Sequence, residues 1–231
     1  MTTLLHIDAS ARTERSLTRR LSAAFVAEWR RHRPSDTVIR RDVGANPPPA
    51  TTQDWIAAAF TDPAERDDAQ RDALALSDEL IDELERADIL ILATPMYNYG
   101  MPTALKGWVD QVIRVNRTFS FDLARGDFPL RPILSGKTLV LLTSAGEFGF
   151  AEGGIREEMN HLDTHIRAIR HYLGVAADHH IAMEYQEFAD ARHEQSVERA
   201  HAAVPELVRT LQGGTATAQA GMSPSKASLR G

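Results

Sequence analysis

The sequence predicts an α/β fold, a five-stranded parallel sheet with helices on both faces. Three observations carry that reading. Short apolar runs of strand length alternate along the whole chain with longer segments whose apolar residues recur every three or four positions. The runs Asp88-Ile89-Leu90-Ile91-Leu92-Ala93 and 137–143 are apolar almost throughout, as a strand buried on both faces must be. No internal repeat and no Pro/Gly/Ser-rich linker divides the chain, so residues 1–212 read as one domain.

The first strand falls at residues 3–8, a short apolar run followed by small and polar residues. A helix starts near Ser16; Leu17, Leu21, Phe25 and Trp29 fall four apart on one face, and Pro34 ends it. A second strand is expected at 37–42, where Val38 and Ile39 stand among charges. Pro47-Pro48-Pro49 makes 44–52 irregular, and a short helical piece at 54–60 follows. A helix over 64–86 turns Leu74, Leu80, Ile81 and Leu84 inward. The strand at 88–93 leads into a loop at 94–102 and a helix at 103–115; residues 118–128 are expected to be a loop with extended character. After the strand at 137–143, the spacing of Ile155, Met159, Leu162, Ile166, Ile169 and Leu173 predicts one long helix, capped by Gly174. A last strand at 178–183 and a last helix at 190–211 complete the sheet; residues 213–231, with almost no large apolar side chain, are expected to be a disordered tail.

Length and charge narrow the function. The 231 residues suffice for one sizeable domain. The 26 basic and 32 acidic residues give a formal net charge of −6, which argues against nucleic acid as a partner, since phosphate neutralisation needs a basic surface. The chain contains no cysteine, so disulfides, thiolate nucleophiles and Cys-ligated metal centres are excluded. The first residues, MTTLLHIDASART, lack the basic and apolar segments of a secretory signal, and no stretch approaches the roughly 20 apolar residues of a spanning helix. The expectation is a cytoplasmic protein that does not enter membranes.

In an open parallel sheet, ligands bind at the carboxyl ends of the strands. The loop from Ser10 to Thr18 runs from a strand into a helix N-terminus, where free N–H groups and the dipole favour an anion. Ser10, Ser16 and Thr18 add hydroxyls and Arg12 adds charge. With neither a G-x-G-x-x-G fingerprint nor a Walker lysine, a phosphomonoester fits better than a pyrophosphate or triphosphate. The same residues would equally serve as a helix cap among surface polar groups. The loop Pro95-Met96-Tyr97-Asn98-Tyr99-Gly100-Met101-Pro102 suits a flat heterocycle, with backbone groups at the ring edge and side chains on its face, or else a proline-bounded turn with core aromatics. The loop Thr143-Ser144-Ala145-Gly146-Glu147-Phe148-Gly149-Phe150 has glycines that permit close backbone approach to a ligand.

Taken together, Ser10-Ala11-Arg12, Ser16-Leu17-Thr18, Pro95-Met96-Tyr97-Asn98-Tyr99 and Leu105-Lys106-Gly107-Trp108-Val109-Asp110 resemble the FMN-dependent NADH azoreductase and quinone oxidoreductase family, over residues 4–211. The resemblance implies a flavodoxin-like fold and a homodimer with one FMN per subunit, both chains contributing to the pocket. It implies that Ser10, Ser16, Leu17 and Thr18 hold the phosphate, beside the charge of Arg12, and that Met96, Tyr97, Asn98, Tyr99, Ser144, Ala145, Gly146 and Glu147 line the isoalloxazine. Asn98, Tyr99 and Phe121 would face the substrate. NADH, or NADPH, would be the donor, and quinones and azo compounds the acceptors, in a ping-pong cycle. The family commonly carries a Ser-Arg-Gly-Gly loop where this chain has Ser144-Ala145-Gly146-Glu147, a departure that bears on flavin tuning and substrate range.

A flavodoxin-like electron carrier would bind FMN without oxidising NADH directly, and a hydrolase on the same sheet would need a nucleophile that cannot be assigned: Ser144 has no Gly-x-Ser-x-Gly elbow. His161 and His165 have metal-ligand spacing but lie off the apolar stripe and lack the glutamate of a zinc protease motif, so no metal is expected.

Overall fold

A computed structural model describes the backbone of residues 1–220 and the side chains of residues 1–213. Five parallel strands form the sheet in the order β2-β1-β3-β6-β7, with β1 at Thr3–Asp8, β2 at Thr37–Asp42, β3 at Ile89–Pro95, β6 at Lys137–Ser144 and β7 at Val175–Met183. The register runs Leu4 beside Val38 and Ile89, then Ile89 beside Thr138. A two-stranded antiparallel hairpin, β4 (Phe119–Phe121) and β5 (Leu130–Pro132), stands apart from this sheet.

Strand alternation sorts the core into two layers. Leu4, Ile89, Ile91, Val140 and Leu142 pack against Leu21, Phe25 and Trp29 of α1 (Leu17–His32) and Val204 and Val208 of α6 (Ala191–Ala220). Their neighbours Leu5, Ile7, Leu90, Leu92 and Leu139 face the opposite layer. There they meet Leu80, Ile81 and Leu84 of α3 (Asp68–Arg86), Trp108 and Val112 of α4 (Thr103–Val112), and Ile166 of α5 (Asp163–Ile169). A short helix, α2 (Gln53–Phe60), packs on α3 through Ala58, Ala59 and Leu74. All seven residues of β3 are buried, as its unbroken apolar run requires. Among the described residues, no helix is long and apolar enough to cross a membrane.

Several expected boundaries move. The helix expected over 64–86 begins at Asp68, because Asp67 and Gln70 form a reciprocal capping box. The long helix expected between Ile155 and Leu173 is not there: only Asp163–Ile169 is α-helical, Glu157–Met159 is a single 3₁₀ turn, and Ile155 is 77% exposed. Asn160 breaks the segment. Its Oδ1 accepts the Asp163 N–H at 3.0 Å, and its Nδ2 donates to Phe150 O at 3.0 Å and Asp163 Oδ2 at 2.8 Å. The buried Asn160 side chain thus competes with the helical backbone for these groups. The final helix runs past residue 211, to Ala220. The rest of the expected tail, 221–231, lies outside the described residues.

Candidate functional site

β1 delivers Ser10 to the carboxyl edge of the sheet, and α1 begins seven residues later with Ser16 as its N-cap. Ser16 Oγ accepts the Arg19 N–H at 3.4 Å. The N–H groups of Leu17 and Thr18 open the helix and have no intrahelical acceptor, nor any other among the described residues. Ser10, Ser16 and Thr18 are buried; Ser16 Oγ and Thr18 Oγ1 are 3.4 Å apart, and Ser10 Oγ accepts the Arg12 N–H at 3.2 Å. Arg12 and Arg15 stand exposed on this loop with no ion-pair partner among the described residues. Ser16 therefore caps the helix, and the N–H groups that follow it leave this cradle open to an acceptor.

The cradle is braced from beneath. Arg19 places both terminal nitrogens 2.6 Å from the Asp42 carboxylate and donates to Ser10 O at 2.8 Å. It is committed to tying the end of β2 to the loop, and the Asp42 hydrogen bond holds its proton more firmly than usual. Asp8, 1% exposed, accepts from Ser22 Oγ at 2.8 Å and lies 3.3 Å from His6 Nε2. Burial alone would raise the Asp8 carboxyl; the bond and charge of His6, with Ser22 and Arg19, outweigh it and hold the group below the usual carboxylate range. Gly44 makes this approach possible, since a Cβ there would stand 2.1 Å from Ser10 O.

β3 ends at Pro95, and the Met96 N–H continues the sheet to Ser144 O at 2.8 Å. Tyr97 and Gly100 exchange two backbone hydrogen bonds, at 3.1 and 3.0 Å, around Asn98 and Tyr99, both in the left-handed region at φ 48° and 64°. Two successive positive φ values define a type I′ turn, a demanding conformation for a tyrosine. It is held from outside: the His161 N–H donates to Tyr99 O at 2.9 Å, and the Tyr99 hydroxyl donates to Glu147 Oε2 at 3.0 Å. The Glu147 hydrogen bond and charge raise the Tyr99 hydroxyl above its ordinary pKa.

Beyond β6, residues 145–147 pair with the chain after β7: Gln186 N–H with Ala145 O, Glu187 N–H with Gly146 O at 3.0 Å, and Tyr185 N–H with Glu147 O at 3.1 Å. The Glu147 carboxylate does not stand free. Its other oxygen lies 2.9 Å from Arg156 Nη2, and Arg156 also covers the Phe148 ring at 4.8 Å.

These segments enclose a cleft of about 350 Å³ lined by Ser10, Arg12, Arg15, Ser16, Leu17, Pro95, Met96, Tyr97, Ser144, Gly146, Gln186 and Glu187. A second hollow of about 390 Å³ is lined by Met96, Asn98, Tyr99, Ala145, Gly146, Glu147, Phe150 and Glu187. The two share Met96, Gly146 and Glu187, so they adjoin. Of the residues expected from sequence, twelve of the fourteen line one hollow or the other. Thr18 lies fully buried behind Ser16, and Phe121, half exposed on the β4–β5 hairpin, lines neither hollow. Among the lining residues, the expected set lacked Arg15, Pro95, Phe150, Gln186 and Glu187. The last two follow β7 directly, so the rule that ligands gather at strand carboxyl ends pointed to them as well. Among the described residues, no group of three potential ligands is placed to hold a metal ion.

The chain matches the family model for the flavodoxin-like fold over residues 2–207. It is 53% identical over 218 residues to the FMN-dependent NADH:quinone oxidoreductase 2 of Colwellia psychrerythraea, covering 91% of this chain and all of that one. It is 40% identical to the FMN-dependent NAD(P)H:quinone oxidoreductase 1 of Pseudomonas aeruginosa, again over 91% of this chain and all of that one. In three dimensions it resembles a crystal structure of azoreductase from Bacillus anthracis, with a TM-score of 0.80 at 20% identity, over 91% of this chain and all of that one, a likeness of fold. The chain belongs to the flavodoxin-like family of FMN-dependent NADH:quinone oxidoreductases.

Proposed function

We propose that this protein is an FMN-dependent oxidoreductase that takes hydride from NADH, or NADPH, and passes two electrons to quinones and azo compounds. The observation that carries the reading is the polarity of the cleft. One end offers hydroxyls and, without partners among the described residues, two helix N–H groups and two arginines; the other is a turn and two loops whose Gly146 and Glu147 N–H groups also lack acceptors among the described residues, beside Met96 and Tyr97. That donor set fits FMN: a phosphomonoester at Ser10, Arg12, Ser16, Leu17 and Thr18, and a flat ring along Met96, Tyr97, Asn98, Tyr99, Ser144, Ala145, Gly146 and Glu147.

When bound, FMN supplies the hydride-accepting and electron-donating chemistry. The chain's part is placement and electrostatics. The helix start and the arginines fix the phosphate and thereby the reach of the ring. The rigid turn at Asn98-Tyr99 sets one wall of the space over it, and the N–H groups of Gly146 and Glu147, without acceptors among the described residues, stand ready for charge developing on the ring edge. No protein nucleophile is required.

The same reading includes a homodimer. Phe121, Leu123, Phe128, Leu130 and Ile133 are exposed on and around the β4–β5 hairpin, an apolar face suited to a second copy, through which Phe121 would reach the partner's substrate space. The cytoplasm, where reduced nicotinamide nucleotides are held, is the compartment the reading assigns.

The test is anaerobic. Apoprotein titrated with FMN should take it up and turn yellow; NADH should bleach the colour, and a small quinone should restore it. Retention of FMN without bleaching would mark an electron carrier instead. Tight FAD binding with none of FMN would overturn the reading of the phosphate loop.

A further inference from the structure

One carboxylate in the cleft, that of Glu187, has no counterpart in the motifs read from the sequence. Glu187 lines both adjoining hollows. Its backbone is fixed by the N–H bond to Gly146 O at 3.0 Å, the middle rung of the pairing between 145–147 and 185–187. Its side chain lies over Gly146, where an added Cβ would stand 2.7 Å from Cγ, Cδ and Oε1 of Glu187. Gly146 is not among the residues with positive φ, so its backbone does not demand glycine. What an added Cβ would meet is the Glu187 side chain, which lies across Gly146.

The neighbouring carboxylates are committed. Glu147 is held by Tyr99 and Arg156, and Glu184 accepts the N–H groups of Gly149 and Phe150 at 3.0 and 3.3 Å. Glu187 has neither a hydrogen bond nor an ion pair to its carboxylate among the described residues. A carboxylate only accepts, so its partner must bring a donor. Beside it, the N–H groups of Gly146 and Glu147 only donate. The protein therefore presents donors and one acceptor together along one short edge. The pyrimidine edge of a flavin is the complement: two carbonyls flanking one imide N–H.

We propose that Glu187 contacts the cofactor, accepting the imide N–H of the flavin, and that its charge lowers the flavin's reduction potential. This rests on the FMN reading of the cleft. Two-electron reduction adds negative charge to this edge of the ring, and an uncompensated carboxylate beside it favours the oxidised form. The charge of Glu147, offset by Arg156, is felt much less. The departure from the family's Ser-Arg-Gly-Gly loop thus brings a charge that is neutralised where it arises, while the tuning charge comes from the segment after β7.

The experiment compares wild type, Glu187→Gln, Glu187→Leu and Glu147→Gln in three readouts. Apoprotein is titrated with FMN and with FMN methylated at the imide nitrogen, and each FMN complex is titrated against a redox dye. Wild type should bind FMN about tenfold more tightly than the methylated analogue, and Glu187→Leu should bind the two within about threefold. Glu187→Gln keeps an acceptor oxygen and should hold oxidised FMN nearly as wild type does. It should favour reduced over oxidised FMN by about tenfold more than wild type, a potential about 30 mV more positive. Glu147→Gln should move the potential less. Equal affinity of wild type for FMN and its methylated analogue, or a potential in Glu187→Gln unchanged or more negative, would overturn the assignment while leaving the FMN reading intact. Failure of wild type to bind FMN at all would overturn that reading itself. Should the Glu187 variants not fold, the methylated analogue on wild type still decides.

Discussion

Replacing Ser16 with glutamate puts a carboxylate at the mouth of the cleft, where the proposed function seats the phosphate. Ser16 is 6% exposed and directly precedes Leu17 and Thr18, whose N–H groups are free to bind phosphate. Two unit charges about 4 Å apart repel by about 4 kcal/mol at an effective dielectric near 20 and by about 1 kcal/mol in water. The phosphate carries between about −1.5 and −2 charges, which raises the figure, while Arg12 and Arg15 offset part of it. A loss of about 3 kcal/mol follows, or roughly two orders of magnitude in Kd. The variant also loses the Arg19 N–H cap, about 1 kcal/mol of stability, which thermal unfolding of the apoprotein reports separately. The decisive assay is paired titration of apoprotein with FMN and with riboflavin, which has the ring and no phosphate. FMN should weaken about a hundredfold, towards riboflavin, whose affinity should stay within about threefold of wild type. Unchanged FMN affinity, or equal weakening of both ligands, would show that this helix start does not hold the phosphate.

Two further outcomes follow from the same geometry. Asp8 and Asp42 are both held below the ordinary carboxylate pKa, Asp8 by contacts that outweigh its burial and Asp42 chiefly by its Arg19 hydrogen bond. A carboxyl with a lowered folded pKa stabilises the protein above its unfolded pKa, near about 3.9, and that contribution is lost as pH falls through the folded value. Melting temperature should therefore fall steeply as pH drops from about 5 towards 2, and Asp8→Asn should flatten the slope at a cost of about 2 kcal/mol at neutral pH; an unaltered slope in the variant would contradict this. In steady-state kinetics, NADH and a quinone should give parallel double-reciprocal lines, because the hollow beside the turn, about 390 Å³, suits one flat ligand over the ring at a time; intersecting lines would require a ternary complex.

The sheet was legible because its strands follow simple periods. Ile89 to Ala93 has no alternative to burial on both faces, and the four-residue spacing of Leu17, Leu21, Phe25 and Trp29 sets α1. The helix start at the cleft was legible for the same reason, since Ser16 is a local signal for a helix cap, and the structure has it capping α1 and lining the cleft. The misread helix between Ile155 and Leu173 had the right spacing, but a buried asparagine redirects the backbone bonds at residue 160, and apolar spacing carries no trace of that. Gln186 and Glu187 became visible only through the pairing of their backbone with residues 145–147, a contact between segments about 40 positions apart in the chain. The tie of Glu147 to Arg156 is likewise a product of that folded-over segment.

Gly44 and Arg19 give the cradle a mechanical consequence. β2 is an edge strand with no fully buried residue, the sort of element that frays first. Its last residue, Asp42, grips Arg19, Arg19 grips Ser10 O, and Gly44 leaves no room for slack against that same carbonyl. The strand cannot peel away without loosening the loop that would hold the phosphate. By mass action, whatever occupies the loop then resists the peeling. Amide protons along β2 should exchange more slowly in the flavin-loaded protein than in the apoprotein, although the strand touches neither hollow, so loss of cofactor and loss of the sheet edge become one event seen from two places.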